Sequence, residues 1–153
     1  MNLPEEIAEA CKPLFEALPL SEAMTSLTGS QPKHTELVKS IIAAPEIASR
    51  PALISGLWLY VDDLERSHKV SQDILDATGS YWHGIMHRRE GDFSNAHYWM
   101  RRAETHPLLR EKPDLDPHSL IDAVAATHST NPIDLLQQQR EEWKTLFAWC
   151  ANR

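Results

Sequence analysis

The chain reads as all-α, a compact bundle of six to eight helices forming a single helical domain over residues 1–153. Three observations predict this. No segment shows the strict apolar/polar alternation with β-branched enrichment that marks a half-buried strand. Apolar residues recur instead at spacings of three and four, the period of a helix face. Only five glycines are available for hairpin turns, and the punctuation, proline and capping residues, is that of helices.

Each element has its own signal. Pro4 and Glu5-Glu6 open a first helix through Ile7, Cys11, Leu14 and Leu18, which Pro13 is expected to kink or split. Ser21 caps a short turn ending near Gly29. Pro32 starts a helix through Leu37, Val38, Ile41 and Ile42 that closes at Ala44-Pro45. From Pro51 one long helix runs to about Ala77, with Gly79 just past its end as a C-cap. Tyr81 to Glu90 forms a short helix closed by Gly91, and Ser94 to Thr105 forms the next, stopped by His106-Pro107. Asp116-Pro117 and Asn131-Pro132 each place a capping side chain before proline at the first helical position. They launch helices of roughly 117–127 and 132–151.

Composition narrows the function classes. With 153 residues, 42% hydrophobic and 24% charged, the chain has the make-up of an ordinary folded domain. A net charge of −7 argues against a nucleic-acid partner, which demands a basic face. The charge is uneven, however. Residues 81–110 carry Arg88, Arg89, Arg101, Arg102 and Arg110 against Glu90, Asp92 and Glu104, a balance of +2 in an otherwise acidic chain. A small anionic molecule suits such a segment better than a polynucleotide does. Cys11 and Cys150 lie near opposite ends with no CxxC, so free thiols in a reducing compartment are expected. No run approaches the ~18–20 apolar residues of a membrane span, and the N-terminus lacks a signal-peptide pattern. The expected compartment is the cytoplasm, with no membrane partner.

The chemistry concentrates in YWHGIMHRREGDFSNAHYWMRRAETHP, residues 81–107, which holds four of the eight histidines. Just before it, Leu57, Val61, Leu64, His68, Ser71 and Leu75 form one stripe of the long helix. His68 and Ser71 interrupt that apolar face, with Gln72 at its margin. A buried polar group needs a partner, so something must face them. His83, His87 and Glu90, spaced i, i+4 and i+7, lie within one arc of the next helix. Asn95, Tyr98, Trp99 and Arg102 share a flank of the helix after that.

Two readings follow. In one, His68, His83, His87 and Glu90 supply ligands of the type that zinc or iron takes, the histidines double as acid/base candidates, and Ser71, Gln72, Asn95, Tyr98 and Arg102 contact a ligand. In the other, the same groups are a polar network of a non-catalytic interaction protein. The bland expectations are that Arg88-Arg89 and Arg101-Arg102 sit at helix C-termini in surface ion pairs, that Asp62, Asp63 and Glu65 are solvated, and that Tyr81, Trp82, Trp99 and Met100 are core. Nucleophilic catalysis lacks support, since no GxSxG elbow or phosphate-binding glycine loop is present.

The segment Leu57 to Pro107, above all YWHGIMHRREGDFSNAHYW and the closing His106-Pro107, resembles the signature of a family of small helical proteins with no established activity. The resemblance covers about a third of the chain and implies only that this segment is the family's defining part. HRREGDFSNAHYWMRRAETHP also resembles the inter-helix turn of a tetratricopeptide repeat. No second copy occurs at the period such repeats require, so ordinary helix–turn–helix packing accounts for it.

Overall fold

Aspartate and proline set most helix starts in the computed structural model, which describes residues 1–153. The chain is all-helical: ten α-helices, one 3-10 turn and no strand. In order these are α1 (Glu5–Ala17), the 3-10 turn (Leu20–Glu22), α2 (Thr35–Ile42), α3 (Pro45–Ala48), α4 (Pro51–Tyr60), α5 (Leu64–Ser71), α6 (Ala77–Glu90), α7 (Phe93–Ala103), α8 (Pro107–Glu111), α9 (Pro117–Ala125) and α10 (Ile133–Ala151). No helix is long and apolar enough to cross a membrane.

The helix count exceeds the expected six to eight because the predicted 51–77 helix is two. It breaks at Val61-Asp62-Asp63. Asp63 accepts the Arg66 N–H at 3.1 Å and starts α5 afresh, while Asp62 takes a left-handed backbone with φ 62°. The chain then turns again over residues 72–76, so Leu75, expected on the buried stripe, is 94% exposed. Asp76 caps α6 through the N–H groups of Thr78 and Gly79. Gly79 therefore lies in the first turn of α6 and is no C-cap. Its role is close approach: a Cβ there would sit 2.0 Å from the Ile74 carbonyl oxygen. Gly91 does close α6 as expected, with φ 85°.

Other boundaries shift for similar reasons. α1 runs unsplit through Pro13, which is exposed, so the carbonyl it frees can be hydrated. The Ser21 side chain caps nothing. α2 starts at Thr35 rather than at Pro32, and Pro45 opens a separate turn, α3. Asp92, not Ser94, caps α7. His106 ends no helix but caps α8, which the sequence did not suggest, by accepting the Leu108 N–H. Asp116 caps α9 as expected, but Asn131 does not cap α10; its side-chain oxygen accepts the Leu27 N–H at 2.8 Å.

α6 is the central helix, packed against α4, α5 and α7, with α10 lying across α4 and α9. Every residue of α6 from Thr78 to Arg89 is buried. The core joins Trp82 and Tyr81 of α6 to Tyr60, Trp143 and Phe147. Burying side chains of this size contributes roughly 1.5–3 kcal/mol each. Trp143 donates to the Gly56 carbonyl at 2.8 Å and Tyr60 to that of Leu18 at 2.6 Å, while the Trp82 indole N–H has no partner. Cys11 and Cys150 are free, buried thiols, each pushed up to about 12 by burial.

Two expectations of exposure fail. Arg88 and Arg89 are fully buried. Arg88 pairs with buried Glu142 at 2.6 Å, and Arg89 with Asp62. Asp62 and Asp63 are buried for the same reason, as partners of arginine at the α4–α5 corner; Glu65 alone of the three acids is solvated. From Thr78 to Arg89 this central helix has no solvent face, so its cations must be neutralised inside.

Candidate metal centre

The site grows from the α4–α5 corner. Ser55 of α4 and Ser67 of α5 meet through their hydroxyls at 3.0 Å, and these small side chains let the two helices close on each other. On α6, Arg89 donates to the Leu59 carbonyl at 2.8 Å and pairs with Asp62, tying down the corner from which α5 departs. His68 follows Ser67 by about 100° around α5 and so emerges towards α6.

There it meets His83 and His87, one turn apart on α6. The ring centroids of His68 and His83 are 4.7 Å apart, those of His68 and His87 5.6 Å, and those of His83 and His87 4.8 Å. One ring nitrogen from each histidine lies within 4.8 Å of the other two. His83 and His87 are buried and His68 half-buried, so the cluster opens to solvent past His68. A cavity of about 610 Å³ between α9 and α10 lies away from this cluster.

The rings of His83 and His87 have different surroundings. His83 is stacked on Trp99 at 3.9 Å and 9°, and its buried Nδ1 has no hydrogen-bond partner. Burial, then the neighbouring His87 and His68, lowers its pKa from 6.5 to about 4. It is neutral at neutral pH. His87 Nδ1 lies 2.5 Å from Glu90 Oε1. A carboxylate only accepts, so Nδ1 carries a proton and donates it to Glu90. A carboxylate behind a histidine is the arrangement that orients a metal ligand.

Glu90 also forms a second group with His87 and Asp92, one atom from each within 4.8 Å of the others. Asp92, however, is occupied. It accepts from the Asn95 backbone at 3.2 Å and the Asn95 side chain at 3.0 Å, bonds that hold it below the usual carboxylate range. Capping α7 accounts for its position.

The expected ligand-contact residues scatter. Ser71 is buried, and its hydroxyl donates back to the His68 carbonyl at 3.3 Å. Gln72 is exposed at the end of α5. The Asn95 amide is spent on Asp92. Tyr98 and Arg102 stand on the exposed flank of α7 beside Trp99, which is half-exposed rather than core.

Three constellations went unread in the sequence. Arg88, Glu142 and Tyr81 form a buried network, with the Tyr81 hydroxyl 3.4 Å from Glu142. His106 places Nε2 3.0 Å from the Thr78 hydroxyl; since its Nδ1 accepts from Leu108, Nε2 is the donor. His97 of α7 and His118 of α9 face each other through Nδ1 atoms 2.7 Å apart, with Asp122 behind His97 at 2.8 Å. All pair residues far apart in sequence, which periodicity cannot register. Comparison with protein-family models, curated proteins and solved structures gives no match.

Proposed function

We propose that this chain holds a divalent transition metal, zinc or ferrous iron, on His68, His83 and His87, as an open centre for metal-assisted hydrolysis of a small molecule. The observation that carries the reading is the convergence of three ring nitrogens within 4.8 Å. The ring spacings support it. With metal–nitrogen bonds of about 2.0–2.1 Å, ligand rings at tetrahedral angles have centroids roughly 5.2 Å apart, and at right angles about 4.5 Å. The spacings of 4.7, 4.8 and 5.6 Å fall in and around that range. Imidazole is a ligand that zinc and iron accept, and three protein ligands leave coordination positions open, the composition of catalytic rather than structural zinc sites.

The chain's own groups have defined parts. Glu90 fixes the His87 tautomer so that Nε2 is available. Burial keeps His83 in the neutral form a metal requires. Trp99 walls one side of the His83 ring. A metal held here supplies Lewis acidity to a coordinated water or carbonyl. The alternative, a polar network without a metal, leaves the buried His83 Nδ1 without a partner. The two unpaired thiols suit a reducing, cytoplasmic setting.

Cobalt(II) titration tests the reading. Tag-free protein should develop the visible absorption of a nitrogen-ligated, four- or five-coordinate ion, saturating at one equivalent. His83→Ala and His87→Ala should each abolish it, and Gln72→Ala should not. A featureless spectrum at saturating cobalt would overturn the assignment.

A further inference from the structure

The aromatic layer beside the histidines ends in a cation that nothing neutralises. His83 covers one face of Trp99 in van der Waals contact, and the Arg102 guanidinium carbon stands 5.4 Å from the Trp99 centroid. Arg102 and His83 both pack on the Trp99 ring. Tyr98 meets Trp99 edge-on at 5.3 Å and lies under the same guanidinium at 5.9 Å. Two rings thus hold Arg102 in place without consuming any of its N–H donors. Arg102 joins none of the ion pairs of the molecule. In a chain of net charge −7, an arginine positioned by aromatics and free of carboxylates is a prepared anion site.

We propose that Arg102 recognises the carboxylate end of an elongated substrate whose other end reaches the metal. This rests on the three-histidine centre proposed above. Arginine's planar fork matches the two oxygens of a carboxylate. No other arginine or lysine lies over Trp99 or Tyr98, so this flank offers one fixed positive charge and suits a monoanion better than a phosphate dianion. The two stacking spacings laid end to end place the guanidinium no more than about 9 Å from the His83 ring, within cation–π geometry. Once about 4 Å is taken up by the carboxylate–guanidinium contact, an extended chain of roughly four to six carbons covers what remains of that span at standard bond lengths. Between its ends the substrate would lie along the exposed edge of Trp99, which favours a hydrocarbon middle.

Cobalt-loaded protein titrated with acetate and with adipate tests this, the visible band reporting arrival at the metal. Adipate should bind at least tenfold more tightly than acetate. Arg102→Ala should remove that preference while leaving the cobalt band intact, and Arg101→Ala, which deletes the same charge from another side of α7, should preserve it. Equal affinities, or an adipate preference that survives Arg102→Ala, would overturn the subsite and leave the metal centre standing. Absence of the cobalt band in the parent protein would overturn the metal centre, and the subsite with it.

Discussion

His83 is held neutral by its surroundings, and that has a consequence for stability. Its folded pKa, about 4, lies below the ordinary 6.5. The unfolded chain therefore takes up the proton first as pH falls. The contribution of the neutral ring is complete above 6.5 and is lost as pH drops towards 4. Buried His106 is shifted in the same direction, chiefly by burial. The urea midpoint of metal-free protein should fall between pH 6.5 and 4.5, less steeply in His83→Gln; superimposable pH profiles would contradict this. Arg88 and Glu142 make a second residue-scale case. Glu142→Gln strips the charge facing a fully buried guanidinium whose Nε and Nη2 already lack partners. Breaking such a pair costs about 3–5 kcal/mol, whereas replacing both members with apolar side chains costs far less. Denaturant unfolding of Glu142→Gln and of Arg88→Met/Glu142→Leu checks the asymmetry. At this scale the sequence was only half legible. The i, i+4 spacing of His83 and His87 announced a shared face, but Arg88 and Arg89 looked solvent-bound, because a sequence does not say that a helix will be surrounded.

Among the elements, the decisive one is the α4–α5 corner. Periodicity carried a helix straight from Pro51 to Ala77, since Val61 and Leu64 continue the apolar stripe across the break. What interrupts it is paired side-chain chemistry, the Asp63 cap and the Asp62–Arg89 pair, and the second of these depends on a residue 27 positions away. His68 still reached the face expected of it, because the break falls before it and α5 keeps the helical period. Asp62→Ala should cost about 3–5 kcal/mol through the stranded Arg89 charge. It should also weaken cobalt binding more than tenfold, as α5 loses its anchor to α6, while Asp134→Ala on α10 leaves binding unchanged. Undiminished affinity in Asp62→Ala would show that α5 does not depend on the corner. Gly79 gives an independent check. Its substitution by alanine collides with the backbone at Ile74, where overpacking costs about 1–3 kcal/mol or more. At Gly91 the space is open and only the left-handed backbone is strained, at roughly 1–2 kcal/mol. Melting temperatures should therefore rank parent, Gly91→Ala, Gly79→Ala, from highest to lowest.

For the whole molecule, the all-helical class was readable from period and punctuation alone. The placement of α6 at the centre was not. Its near-uniform burial draws on residues from Tyr60 to Phe147, and only the packing of the other helices creates the interior in which three histidines can converge. The same arrangement couples the site to stability, because an ion held between α5 and α6 binds the folded chain alone. Elemental analysis of tag-free protein, refolded in the presence of zinc and dialysed, tests the central claim most directly. The account predicts one zinc per chain in the parent, less than about a tenth in His83→Ala, and a higher melting temperature in the zinc-loaded parent only. A parent protein that retains no more zinc than His83→Ala would contradict it.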